Sequence, residues 1–543
     1  LTFDRDNLTA KQQDYAIFLP ALSGFYATYV GKQRHDPNFV PQSRIPADFE
    51  NGIEGLNWLN PDQAYFPYKW ALYSAGHADL DINRDSPKED MIRNRDRSTS
   101  FVVGDSGGFQ IGKGVWEADW KDINCPRAQR KREQVLSWMD AYMDRGMVLD
   151  IPAWTCDYPP GRQASGVNSY ADAVTSTYIN NDYFMRNRNG NCKFLNVLQG
   201  QTHAQSDDWY DRMKKYCDPR QYETPFEGWA MGGQNKCDVH LTLRRLVALK
   251  FDGLLERGQH DWLHVLGTSK LEWACLMTDI QRAIRQHHNE NFTISFDCAS
   301  PFLATANGQV YMRTEVEDRR KWVYRMMASA DDKKYAVDQR RYGDAVVADG
   351  IFEDFTESPV SERLKISDVC IYKDGVRKTD QELQGEKFNF QNPDHYHVVP
   401  DLNKIGKIGR TSWDSFSYAL QMGHNVWSHI NAVQEANRRY DSGFVPRMLV
   451  REKFDRITFR QVVDEIFATS DRDRAEALVD EHSKFWMDIP GSNGTTGKKT
   501  INSITAYQSL FEEVGAPAET CVDFHRDDSG IDEGKLDDLE MSI

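Results

Sequence analysis

The sequence lacks several things, and each absence excludes a class of protein. No run approaches the roughly 18 consecutive apolar residues that a membrane-spanning helix needs. The segment LTFDRDNLTAKQQD at residues 1–14 is polar and charged, unlike a secretory signal. The nine cysteines, at 125, 156, 192, 217, 237, 275, 298, 370 and 521, form no CxxC pair and no dense framework. Free thiols in a reducing cytoplasm are the expectation that follows, with no contact to a membrane. Positive charge is in deficit: 66 Lys and Arg stand against 82 Asp and Glu, a net charge of −16. A protein that holds nucleic acid by bulk charge is therefore excluded, although a local basic groove is not. The Gly-rich stretch GSNGTTGKKT at 491–500 fails as a phosphate loop. Ser492 and Lys499 stand where the GxxxxGK[ST] spacing needs Gly and Ser or Thr, and no strand pattern precedes it.

What is present suits a folded enzyme. Hydrophobic residues make up 40% of the 543 and charged residues 27%, enough for a core and too few charges for a disordered chain. Eight short apolar runs recur, each ending in a glycine-rich or acidic turn. They are AIFLPALSG (16–24), YKWALYSAG (68–76), SFVVGDSGG (100–108), GMVLDIP (146–152), KFLNVLQG (193–200), EGWAMGG (227–233), WLHVLG (262–267) and FTISFDCAS (292–300). Runs of this length without alternation suit strands buried on both faces. Helical patterns lie between them, over 127–146, 169–188, 239–256 and 269–288. Strand–helix alternation repeated eight times predicts an α/β fold, a closed (β/α)8 TIM barrel rather than an open doubly wound sheet.

Beyond the eighth run the pattern loosens. Residues 331–409 mix charge, Gly and Pro and predict an insertion, whereas 412–440 is strongly helical and belongs with the barrel. The expected organisation is a catalytic barrel over 1–330 and 410–440, the insertion 331–409, a mainly helical extension over 441–520 and an acidic tail over 521–543. In the extension two helices are expected over 458–487, with Thr458 and Ser470 or Asp471 as caps, and a short helix over 502–514. The tail carries eight acids against two bases.

In a parallel barrel the reacting groups come from the carboxyl ends of the strands. Those ends supply Asp105, Asp150 and Asp297, the amide Gln199, the pair Gly232-Gly233, and Ser106, Phe109 and Gln110 directly after Asp105. Such a set suits a flat ligand rich in donors and acceptors, such as a purine. Two carboxylates can divide into nucleophile and general acid/base, as in retaining glycosyl transfer. A third can accept from ring N–H groups, and a glycine pair admits backbone close to a ligand.

DSGGFQ at 105–110 resembles the signature of the tRNA-guanine transglycosylases. LDIP (149–152), VLQG (197–200), AMGG (230–233), HVLG (264–267), FDCAS (296–300), NGQVYMRT (307–314) and GHNVWSHINAV (423–433) follow in the family's order. The resemblance spans roughly 65–330 and 410–440. It implies a (β/α)8 barrel in which Asp297 is the nucleophile and Asp105 the general acid/base. Asp150, Gln199 and the backbone at Gly232 and Gly233 would read the purine edge. Phe109 would stack on the base, supported by Ser106 and Gln110. The implied reaction is base exchange through a covalent glycosyl–aspartyl intermediate, with free 7-deazaguanine as the incoming base and a target nucleotide flipped out of its stack.

The sequence also departs from the family. The structural zinc site of the family uses a CxCxxC cluster ahead of a histidine. His429 matches that histidine, but 395–415 contain no cysteine, so no zinc and no other cofactor is expected. His395, His397, Cys521 and His525 remain as isolated side chains. The archaeal RNA-binding module is not recognisable either. The chain is thus most similar to the transglycosylases that insert 7-deazaguanines into DNA, the DpdA family of phages and bacterial modification clusters. That resemblance implies guanine replacement in DNA, with 7-cyano-7-deazaguanine as the expected base, as a phage-encoded protection against restriction in the host cytoplasm. The alternatives are an archaeosine-type tRNA transglycosylase and a non-catalytic nucleic-acid-binding accessory subunit. Retention of both Asp105 and Asp297 speaks against the accessory reading. Phosphate contacts are expected from Arg127, Arg130, Lys131 and Arg132, from Arg319, Arg320, Lys321 and Arg325, and from Lys498 and Lys499. The oligomeric state stays open.

Overall fold

The computed structural model describes residues 7–371 (apart from 38 and 87), 413–451 and 456–489, with a short backbone segment at 514–515. The expected helix over 502–514, apart from its last residue, the loop 491–500 with Lys498 and Lys499, the acidic tail, and His395, His397, Cys521 and His525 lie outside these residues.

Each of the eight apolar runs forms a strand. They are β1 (Ile17–Pro20), β2 (Trp70–Ser74), β3 (Phe101–Asp105), β4 (Arg145–Met147), β5 (Lys193–Leu198), β6 (Trp229–Met231), β7 (Trp262–Val265) and β8 (Thr293–Cys298). All pair in parallel in the order β1-β8-β7-β6-β5-β4-β3-β2. The ends meet through a bridge between Ala21 and Leu72, where the Leu22 amide donates to the Leu72 carbonyl at 2.9 Å. The result is a (β/α)8 barrel, nearly closed. β1, β6 and β7 are buried along their whole length, as strands sheathed by helices must be.

The helices begin where the sequence offers caps. Ser23, Ser169, Thr202 and Asp238 each accept from the amide three residues on, which satisfies a first-turn donor. The helix Leu271–His287 is buried over most of its length, because a further layer covers it. That layer is the helix Ser415–Asp441 and the C-terminal extension. The extension forms three helices where two were expected: Phe459–Ala468, Arg472–Glu481 and Ser483–Met487. Thr458 and Asp471 cap the first two, and Thr458 completes a capping box with Gln461. Between β8 and the insertion lies an antiparallel hairpin, β9 (Gln309–Glu315) with β10 (Val323–Ala328). Among the described residues no helix is long and apolar enough to cross a membrane. The eight described cysteines are all free thiols.

Candidate active site

Asp105 is the last residue of β3 and lies opposite Ser74 in the ladder, so the Ser74 hydroxyl reaches its Oδ2 at 2.7 Å. The turn that follows needs its two glycines. Gly107 has φ of +76°, and a Cβ there would stand 2.6 Å from the Trp116 ring. At Gly108 a Cβ would stand 2.4 Å from the Asp150 carbonyl oxygen, so this glycine lets the β3 turn close on the β4 turn. Gln110 is buried against Gly76. Phe109 is half-buried and meets Trp154 edge to face at 5.6 Å.

Asp150 follows β4 in a segment with little ladder pairing of its own. Side chains of the helix Tyr170–Asn187 satisfy its backbone. The Asn180 amide donates to the Leu149 carbonyl at 2.7 Å, and Thr177 Oγ1 accepts from the Ile151 amide at 2.9 Å. The Asp150 carboxylate accepts from Gln199 Nε2 at 2.7 Å. Burial pushes Asp150 up to about 7; the charge of Asp105 adds to this, and the Gln199 bond opposes it. Gln199 Oε1 and Ser106 Oγ are buried without a hydrogen-bond partner among the described residues. Orphan atoms of this kind cost about 1–3 kcal/mol each unless a ligand or water fills them.

The glycine pair behaves unequally. The Gly232 amide is already committed to the Leu198 carbonyl at 2.8 Å, and its own carbonyl accepts from Asn235 Nδ2 at 3.3 Å. A Cβ at Gly232 would stand 2.7 Å from Gln199 Nε2, so its contribution is clearance for that amide. Gly233 sits at φ +52° with the Gly200 carbonyl 2.5 Å from where a Cβ would be.

Asp297 lies near the end of β8. Its Oδ1 accepts from the Gly267 amide at 2.8 Å and from His264 Nε2 at 3.1 Å, which leaves Oδ2 without a protein partner among the described residues. His264 is fully buried on β7, and its Nδ1 lies 2.9 Å from Ser295 Oγ, which accepts from Trp262 Nε1 at 2.8 Å. A carboxylate only accepts, so Nε2 donates its N–H to Asp297, and Nδ1 faces the Ser295 hydroxyl. Within HVLG nothing in the local pattern marks His264 as functional; what marks it is position, one strand across from Asp297. Lys236, likewise unmarked, is buried in the turn after Gly233. Burial pushes it down to about 7, with the charges of Cys237 and Asp297 pulling the other way.

The two basic clusters fare differently. Arg127 and Arg130 are exposed on the helix Pro126–Tyr142, and Lys131 Nζ lies over the Trp116 ring at 4.6 Å. Arg132 does not join them, which corrects the expectation of a phosphate contact. It is buried and donates to Asn180 Oδ1 at 2.6 Å, so it braces the side chain that holds the Asp150 turn. The second cluster sits in the β9–β10 hairpin. There Arg320 pairs with Asp318 at 2.6 Å, Arg325 with Glu315 at 2.8 Å, and Arg319 donates to the Val445 carbonyl at 2.6 Å. Lys321 is exposed beside them. Arg320 and Arg325 are paired within the hairpin, which offsets their charge, and Arg319 ties it to the segment after the helix Ser415–Asp441.

No group of His, Cys, Asp and Glu among the described residues could hold a metal ion. His429 is buried between Phe18 and Tyr324, at centroid distances of 4.3 and 4.4 Å. Its Nδ1 meets Tyr311 Oη and its Nε2 meets Tyr324 Oη, each at 3.1 Å. The nearby Cys298 thiol is pushed up to about 12 by burial. Both imidazole nitrogens are occupied and that thiol stays protonated, so these residues do not fit zinc.

The fold is a (β/α)8 barrel whose strand ends carry three carboxylates, a buried amide and a glycine pair. No family model matches the chain, and no curated protein matches its sequence.

Proposed function

We propose that the protein is a base-exchange transglycosylase that replaces guanine in DNA by a 7-deazaguanine, such as 7-cyano-7-deazaguanine. The observation that carries this reading is the division of labour among the carboxylates. Asp297 has one oxygen fixed by two N–H donors and the other open. Asp150 is clamped to an amide whose oxygen is orphaned. Asp105 ends the neighbouring strand. Asp297 Oδ2 attacks C1′ of the target nucleotide, and the C1′–N9 bond breaks. The departing guanine takes its proton with help from Asp105, and an ester joins Asp297 to the sugar. The incoming base then gives its proton to Asp105 and attacks C1′, releasing Asp297. Two inversions retain the configuration. Asp150 accepts from the N1–H and 2-amino groups of either base, Gln199 Oε1 takes a further donor, and Phe109 faces the ring.

The test is base exchange on duplex DNA and on bulk tRNA, each with 7-cyano-7-deazaguanine, followed by nucleoside mass spectrometry. Modified deoxynucleoside is the expected product, and it disappears in Asp297→Ala without a change in melting temperature beyond a few degrees. Modified ribonucleoside alone would make the protein a tRNA enzyme. Exchange that survived Asp297→Ala would remove the nucleophile assignment.

A further inference from the structure

The rim of the mouth carries an apolar side chain that the fold does not bury. Among the described residues five large hydrophobics are exposed, and two of them, Val115 (65% exposed) and Ile123, lie in the one segment that joins β3 to the helix Pro126–Tyr142. Val115 is held at the mouth. Its amide donates to the Gln110 carbonyl at 2.9 Å, and the Trp116 amide reaches the same oxygen at 3.3 Å. Trp116 packs on Gly107, two residues from Asp105, and is itself half-exposed. Cations flank the loop on aromatic faces: Lys131 Nζ over Trp116 at 4.6 Å and Lys113 Nζ over Tyr158 at 4.9 Å.

This pattern has the chemistry of a polyanion with stacked bases. Three carboxylates line the mouth and the chain is strongly acidic overall, so a phosphodiester strand can approach only where local cations offset the field. Aromatic rings under those cations accept base or sugar faces. An exposed branched apolar side chain between them is shaped to fill the space that a base leaves when it is extruded. That last feature favours duplex DNA over RNA loops, whose bases are already splayed and leave no gap.

We infer that the loop 113–116, together with Lys131, is the DNA-contacting rim of the pocket, with Lys113 and Lys131 on phosphates and Val115 entering the duplex in place of the flipped guanine. The inference rests on the base-exchange reading and extends it to a surface that reading does not need.

The experiment uses the full chain and a short fluorescein-labelled duplex with 2-aminopurine beside a single guanine. Free-base binding is measured in parallel by calorimetry with 7-cyano-7-deazaguanine. Lys113→Ala with Lys131→Ala should weaken duplex binding about ten-fold or more and lower the slope of log affinity against log salt by about two. Val115→Ser should suppress the rise in 2-aminopurine fluorescence while duplex binding changes only about two-fold. Both variants should bind the free base like the wild type and melt like it. Unchanged duplex affinity and fluorescence would overturn the rim and leave the base pocket standing. Wild-type protein that binds the free base but only structured RNA, or no nucleic acid, would also overturn the rim. Failure of the wild type to bind the base would remove the exchange reading itself.

Discussion

At the scale of single residues, the site depends on which oxygen of Asp297 is left open. His264 and the Gly267 amide both hold Oδ1, so the lone pairs of Oδ2 are presented to the pocket in one orientation. His264→Ala removes a donor to a charged group, worth about 1.5–3 kcal/mol. The rate of the covalent step in single turnover should fall roughly 10- to 100-fold, with DNA KM within about three-fold. His264→Gln keeps an N–H at similar reach and should recover most of that loss. Equal damage by both would mean that the ring matters only for packing. Asp150 supplies the pH dependence. Only its carboxylate accepts from both the N1–H and the 2-amino group of the base, and burial holds it up to about 7. Base affinity, followed by calorimetry, should therefore strengthen as pH rises from 5 toward 7 and level off above. Asp150→Asn should bind about ten-fold more weakly or worse, with a flat profile. The stability effect has the opposite sign. A carboxyl raised in the folded state favours folding while protonated and costs stability as pH rises through 7. Asp150→Asn should thus melt above the wild type at pH 8, by up to about 4 kcal/mol, and lose that advantage toward pH 5.

At the scale of elements, the barrel was legible because each strand is short, apolar on both sides and closed by a turn residue. YKWALYS, KFLNVL and FTISFDC can be little else once helices must cover both faces. The ends of those strands were legible for the same reason, and Asp105, Asp150, Gln199 and Asp297 all fall there. What escaped is what depends on contacts across the chain. The β9–β10 hairpin was missed because its pattern is irregular: its register shifts between Arg325 and Met326, and four of its residues from Gln309 to Met312 are buried in succession. The basic run at 127–132 is one charge pattern in sequence. Helix geometry divides it, with Arg127 and Arg130 toward solvent and Arg132 toward Asn180. His264 was hidden inside a motif of four residues, since its role exists only through Ser295 and Asp297 on the next strand. Gly232 and Gly233 were legible as a close approach, but which of the two amides is already occupied was not.

At the scale of the whole molecule, several side-chain ties fasten the C-terminal extension to the barrel, and one of them centres on a buried carboxylate. Asp279, on the helix Leu271–His287, is 2% exposed and accepts from Arg460 Nε at 2.7 Å and Tyr440 Oη at 2.5 Å. Arg460 Nη2 also reaches Asp441 at 2.8 Å, so a single guanidinium joins the barrel, its closing helix and the extension. Lys250 adds a second tie by donating to the carbonyls of Phe467 and Thr469, where the helix Phe459–Ala468 ends. Burial lifts Asp279 to about 6, with Arg460 the largest opposing influence. Removing that partner leaves a buried charge unpaired, at a cost of about 3 kcal/mol or more near neutral pH. Arg460→Ala should therefore lower the melting temperature at pH 8. The sign with pH follows from Asp279. Its folded-state affinity for a proton is raised, so its ionised form opposes folding above about 6, and without Arg460 the proton is held still more tightly. As pH falls from 8 toward 6, Asp279 takes up the proton in the variant while it stays ionised in the wild type, and the missing charge partner matters less. The deficit of Arg460→Ala relative to wild type should shrink over that interval and level off below about 6. A deficit of the same size at pH 5 and pH 8 would mean that Arg460 acts through its contact with the Tyr440 ring, at 4.5 Å, and not through the ion pair.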